Sequence, residues 1–199
     1  MQLVLDLAPP AEPDFGNFVA GPNAEALAAV KALAAGEEAI VYLWGEAGSG
    51  RTHLLRAALR ANPRLFTADD VESLDAAAQQ QLFTAINAAR GGEAPVLAAG
   101  RTPPLQLALR EDLRTRLGWG LVYQLKPLSD ADKAVHLRAE AARRGLRLSE
   151  EVVGYLLTRL PRDLPNLNSV LDGLDRYSLA TRRPVTLPLV REALERKFG

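Results

Sequence analysis

The chain contains no cysteine and only two histidines. The first absence excludes disulfides and thiolate chemistry and suits a reducing compartment. Both together leave no basis for a His/Cys metal site. Net charge is missing too: 24 Lys and Arg balance 24 Asp and Glu, so no overall field draws the molecule to nucleic acid or an anionic membrane. No apolar run approaches the ~20 residues of a membrane span, and the N-terminus lacks the basic-then-apolar layout of a signal peptide. A cytoplasmic protein without a membrane partner is expected. What is present is ordinary for a globular chain: 199 residues, 48% hydrophobic and 24% charged. That suits one medium domain, or a domain with a small appendage.

The most informative stretch is Gly45-Glu46-Ala47-Gly48-Ser49-Gly50-Arg51-Thr52, with His53 just after it. It has the form of a phosphate-binding P-loop in which Arg51 stands where the pattern wants lysine. Tyr42, Leu43 and Trp44 before it suit a buried strand, and Leu54, Leu55, Ala58 and Leu59 after it have helical spacing. A glycine-rich turn between strand and helix aims backbone N–H groups at one spot, where the helix N-terminus adds positive partial charge. Such a loop binds phosphate with or without lysine. The lysine chiefly reaches the terminal phosphates, so its replacement weakens the case for hydrolysis more than that for binding.

Around this loop the pattern alternates. A helix from an Asn23 cap to Ala35 is expected, then strands at Ile40–Leu43, Leu65–Ala68, Val96–Ala99 and Leu121–Leu125. A helix over Ala76–Arg90, with Leu82, Phe83 and Ile86 as its buried stripe, separates the second strand from the third. Strands alternating with helices imply an α/β fold with a parallel sheet. From Asp130 onward only helices are read: Asp130–Arg144, Ser149–Arg159, Leu167–Ala180 and Pro188–Phe198, with Ser129 and Ser149 as N-caps and Gly145 as a stop. The expected division is an extended segment over 1–13, an α/β core over 14–126 and a helical lid over 127–199.

Asp69-Asp70 closes the second strand, one strand–helix unit after the loop. A P-loop site needs Mg²⁺ held by the loop hydroxyl, here Thr52, and by an acidic residue at a neighbouring strand end, here Asp69. Asp70 then suits a carboxylate that orients water. The plainer alternative is a helix-capping turn. Arg110, Arg114 and Arg116 crowd the approach to the last strand among Glu111 and Asp112. A solvated, ion-paired helix face accounts for Arg110 and Arg114. An arginine at the rim of such a fold can instead stabilise transferring phosphate in a partner's site. Trp44 and Trp119 flank glycines at strand ends and are expected in the core.

These residues carry a resemblance. The chain resembles the AAA+ portion of the DnaA family of bacterial replication initiators, and most of all the regulatory inactivators (Hda), which have that portion without a DNA-binding domain. The matching segments are Phe15-Gly16-Asn17-Phe18-Val19 with Gly21 and Asn23, the Tyr-Leu-Trp-Gly entry to the loop, Asp69-Asp70, Pro103-Pro104, and Leu113 to Gly120. Pro127-Leu128-Ser129 with Asp132-Lys133, and the helix around Leu171 to Leu179, complete them. The resemblance implies that Gly45 to Thr52 hold the phosphates of ADP or ATP, that Asp69 and Thr52 hold Mg²⁺, and that Phe18 and Val19 lie near the base. It implies an arginine finger at Arg116, acting on ATP bound to DnaA. Gln2-Leu3-Val4-Leu5-Asp6-Leu7 resembles the peptide by which these inactivators dock on the DNA polymerase sliding clamp: Gln2 as polar anchor, and Leu3, Leu5 and Leu7 in a groove. The same alternation would also suit a first core strand. DNA would be met only through the clamp, and a homo-oligomer is compatible.

The chain also departs from the pattern. The polar sensor at the tip of the third strand aligns with Ala99, and the lid's sensor arginine aligns with Pro165, leaving Arg162 as the nearest substitute. With Arg51, these changes argue against efficient hydrolysis by this chain alone. The interval between Thr52 and Asp69 has room for one helix and one strand, where DnaA-like cores carry another pair. A four-stranded core is therefore expected, with the second strand as a new edge and Pro63 just before it, as edges tolerate. The rival readings are an autonomous P-loop ATPase such as a helicase loader, and a non-hydrolysing nucleotide-sensing scaffold.

Overall fold

The computed structural model describes residues 12–160 and 164–198. They form two compact units, one over Pro13–Pro127 and one of helices from Leu128 onward.

The first unit is a four-stranded, all-parallel sheet in the order β2-β3-β1-β4, with β1 Ile40–Trp44, β2 Phe66–Ala68, β3 Val96–Gly100 and β4 Leu121–Gln124. The expected four strands are present, and β2 is the edge. In β1 the side chains alternate between two cores, as the period of two requires. Val41 and Leu43 face α1 (Ala24–Ala35) and α2 (Arg51–Ala61), packing with Val30, Leu33, Leu54 and Ala58. Ile40 and Tyr42 face α3 (Ala76–Arg90) and α4 (Glu111–Leu117), packing with Leu82, Ile86, Leu113 and Leu117. Cover on both faces explains why β1 and β3 read as continuous apolar runs.

Asn23 does not cap α1 through its side chain. It is buried, and its amide spans to the chain after β4: Nδ2 donates to the Lys126 carbonyl (2.9 Å) and Oδ1 accepts the Lys126 N–H (2.8 Å). A tertiary partner offering both donor and acceptor outcompetes a single capping bond. Asp75, in contrast, caps α3 by accepting from the Ala78 N–H. Leu65 is buried, but the strand pairing starts at Phe66.

The helical unit comprises α5 Asp130–Arg143, α6 Glu150–Arg159, α7 Leu164–Thr181 and α8 Leu187–Phe198. Ser129 and Asp132 form a reciprocal capping box at α5, and Ser149 caps α6. Leu137, Leu156, Leu171, Leu174, Leu189 and Val190 are fully buried at its centre. Among the described residues no helix is long and apolar enough to cross a membrane.

His136 lies half-buried in this unit, its Nε2 3.0 Å from Asn168 Oδ1. Burial, reinforced by the nearby Arg143 and Arg144 and opposed by the Asn168 bond, holds its imidazole below the ordinary histidine range. Its folded pKa is the lower one, so the unfolded chain takes up the proton first as pH falls. Stability linked to this group is complete above the ordinary value of about 6.5 and is lost below it. His136→Gln should therefore show a flatter urea-denaturation profile than the wild type between pH 7 and 5. Identical slopes would remove His136 from the acid response.

Candidate functional site

β1 delivers the chain to the loop at Gly45, whose N–H donates to the Gly100 carbonyl of β3 (3.2 Å). A Cβ on Gly45 would stand 2.3 Å from the Leu125 carbonyl oxygen, so the first glycine is set by packing against the end of β4. Gly48 (φ 80°) and Gly50 (φ 99°) take left-handed backbone, which reverses the chain and starts α2. Glu46, Ala47 and Gly48 are exposed, while Ser49 is buried with its Oγ lacking a hydrogen-bond partner. The α2 N-terminus below the turn leaves N–H groups without intrahelical acceptors, the arrangement that favours anions.

Phe18 lies on this loop: its Cε2 is 2.8 Å from where a Cβ on Gly50 would stand. Its ring meets His53 at 5.3 Å between centroids, tilted by 58°. His53 Nε2 is in turn 3.0 Å from the Asp14 carbonyl oxygen. Phe18 and His53 thereby fasten the 14–18 segment to the start of α2. Val19, next along, is half-buried.

Thr52 Oγ1 donates to Asp69 Oδ2 at 2.6 Å. The hydroxyl and the carboxylate that would share a divalent ion are thus already adjacent. Among the described residues no group of three His, Cys, Asp or Glu could hold a metal. The donor set fits Mg²⁺ of the kind that relies on one carboxylate plus substrate phosphates and water.

Arg51 and Asp70 face each other across the loop. Arg51 is buried, and its Nη2 is 3.1 Å from Asp70 Oδ1. Asp70 has a left-handed backbone (φ 44°) and leads into a single 3-10 turn, Val71–Ser73. Behind this pair, Glu72 lies 3.2 Å from Arg101 Nε, and its Oε2 stands 2.9 Å from where a Cβ on Gly100 would be. Tyr42 is fully buried there and donates its hydroxyl to the Thr102 carbonyl (2.8 Å). Burial and then the Glu72 charge push the Tyr42 hydroxyl far above the ordinary tyrosine range, against the pull of Arg51. Ala99, at the expected sensor position, is fully buried and has no polar group to offer.

Arg116 lies at the other end of the first unit's α3–α4 layer. Its guanidinium stacks on Phe83 (4.2 Å to the ring centroid) and on Trp119 (4.8 Å). Nε donates to Asn87 Oδ1 (3.0 Å) and Nη1 to the Asp112 carbonyl (3.1 Å). Trp119 is 42% exposed rather than a core residue, and Arg90 also stacks on it at 4.4 Å. Two arginines hold the ring at the surface by its faces, where the apolar core would have left them unpaired. Arg110 is ion-paired with Asp112 at 2.7 Å, as a solvated helix face would have it. Arg114 is only partly exposed, with Nε buried and lacking a hydrogen-bond partner.

Gln2, Leu3, Leu5, Leu7 and Arg162 lie outside the described residues. Pro165 is in the first turn of α7. Glu72, Arg101 and Asn87 belong to these two clusters although no motif singles them out, and Phe83, expected in a buried stripe, also carries the Arg116 guanidinium. Only spacing could have hinted at them: Glu72 is two residues past Asp70, and Phe83 and Asn87 are one helical turn apart.

Residues 130–194 match the family model described as the lid domain of Hda. The whole fold is similar to domain III of the Thermotoga maritima replication initiation protein DnaA, with a TM-score of 0.69 at 21% identity, over 94% of this chain and 98% of that one. It is similar to AMPPCP-bound DnaA from Aquifex aeolicus, with a TM-score of 0.65 at 21% identity, over 88% of this chain and 71% of that one. A Thermotoga maritima RuvB mutant gives a TM-score of 0.64 at 14% identity, over 92% and 71%. The chain therefore has the AAA+ fold of DnaA domain III, with a four-stranded parallel sheet and a helical region similar to the Hda lid.

Proposed function

We propose that this chain is a negative regulator of replication initiation, binding the DNA polymerase sliding clamp and supplying Arg116 in trans to ATP bound by DnaA. The observation that carries the reading is the held guanidinium of Arg116, stacked on two rings at the surface and fixed by Asn87. A planar cation kept in one orientation loses little freedom when it meets a phosphate, which is what an arginine finger requires. The chain's own loop supports the same assignment from the other side. Arg51 is turned to Asp70, and Ala99 cannot contact phosphate or water.

The loop would hold an adenine nucleotide through Gly45 to Thr52, with Phe18, Val19 and His53 beside it. Thr52 and Asp69 would hold Mg²⁺, which when bound neutralises phosphate charge. The similar DnaA from Aquifex aeolicus carries AMPPCP, and the glycine turn here has the form to cradle such phosphates. The adjacent Thr52–Asp69 pair also favours a second reading, an autonomous ATPase. Phosphate release by the purified chain separates them: turnover without DnaA would support the enzyme.

Residues 2–7 would dock on the clamp, as their alternation suits an extended peptide in a groove. Clamp pull-down with Gln2→Ala/Leu3→Ala should lose nearly all binding. Undiminished capture would withdraw the clamp assignment and leave that of Arg116 to its own assay.

A further inference from the structure

The P-loop has one basic residue, Arg51, and its charge is spent inside the fold. Its side chain is 9% exposed, Nη2 lies against Asp70 at 3.1 Å, and Nη1 is buried with no hydrogen-bond partner. Glu72 is close behind, both carboxylate oxygens buried without a hydrogen bond and Oε1 3.2 Å from Arg101 Nε. Tyr42, in the same cluster, feels Arg51 and Glu72 as opposing charges. Two arginines and two carboxylates thus compensate one another at the end of the sheet, with no space between Gly100 and Tyr42 even for a methyl group.

From this geometry we infer that Asp70 and Glu72 set the affinity of the nucleotide site by withholding Arg51 from bound phosphate. The inference rests on the reading of Gly45–Thr52 as a nucleotide site. A guanidinium with an unused N–H group and a carboxylate partner is poised between two acceptors. Phosphate in the loop has to compete with Asp70, and reaching Arg51 leaves the buried Asp70 Oδ1 without its counter-charge and Glu72 with only the exposed Arg101 beside it. The resident state therefore binds phosphate through backbone N–H groups alone. Neutralising both acids removes the competitor and the penalty together, and frees Arg51 for a charge-assisted contact.

The test is a mutant cycle read by titration calorimetry with ADP in metal-free buffer, so that loss of a metal-binding carboxylate does not enter. Asp70→Asn/Glu72→Gln should bind ADP about tenfold more tightly than the wild type, the effect of one charge-assisted contact. Adding Arg51→Gln should abolish that gain, the triple variant binding no more tightly than Arg51→Gln alone, since the cycle isolates the coupling. If the wild type binds and the double variant does not bind more tightly, the inference is wrong and the nucleotide site stands. A gain that persists without Arg51 would show simple relief of negative charge and overturn it equally. If neither wild type nor double variant binds, the nucleotide reading falls as well. Should the double variant fail to fold, Asp70→Asn alone carries the same expectations.

Discussion

Arg116→Ala is expected to abolish stimulation of ATP hydrolysis in ATP-loaded DnaA with clamp and DNA, while leaving the chain folded and clamp-bound. Arginine fingers contribute about 10³–10⁵ in rate, because they meet charge that develops on the transferring phosphoryl group. Removal should bring the rate down to that of DnaA alone. The fold should survive, since the Arg116 side chain lies on Phe83 and Trp119 at the surface rather than in the core. Arg116→Lys should fail nearly as badly: an ammonium cannot stack on two rings, bond Asn87 and present a planar fork at once. Phe83→Ala should have a smaller effect, because one cation–π contact contributes about 0.5–2 kcal/mol. Full stimulation by Arg116→Ala protein, with clamp binding intact, would end the assignment.

A second large effect is expected from a glycine outside the P-loop. A Cβ on Gly120 would stand 2.1 Å from the Ile40 carbonyl oxygen and 2.6 Å from Ile40 Cβ. Gly45 makes the corresponding approach at the other end, 2.3 Å from the Leu125 carbonyl oxygen. β4 is thus pressed against β1 by a side-chain-free residue at each end, and in both cases the nearest obstacle is a backbone carbonyl oxygen. Gly120→Ala should destabilise the first unit by about 3 kcal/mol, the upper range of overpacking, as strand separation is the only relief. Gly92→Ala is the control. Its φ of 87° is strained for alanine, but nothing lies within 4 Å of the added carbon. It should cost about 1 kcal/mol. Equal urea midpoints for the two variants would show that the sheet relaxes around the added carbon and that the β1–β4 approach does not require glycine at 120.

Much of the fold was legible in order along the chain. The helix over Ala76–Arg90 has the expected bounds, and the other expected elements agree to within a few residues. The short interval between Thr52 and Asp69 correctly foretold a four-stranded sheet with β2 at its edge. These features depend on local signals: periodicity, caps, glycine stops and the length of chain available. Thr52 and Asp69 were likewise legible as a pair, because a P-loop strand order brings those two ends together.

Sequence alone determined that this chain builds a glycine-rich turn between strand and helix, beside an acidic strand end, on a parallel sheet. It did so because hydrophobic period and glycine placement act over a few neighbouring residues. Only the tertiary structure decided how the charged and aromatic side chains are used. Arg51 stands in the P-loop and is paired with Asp70; Trp119 looked like a core residue and is a surface platform; Asn23 looked like a cap and fastens the chain after β4. Each choice is a competition among partners distant in sequence. Desolvation makes an unpartnered polar or charged group costly, so the winner is whatever the fold brings within reach.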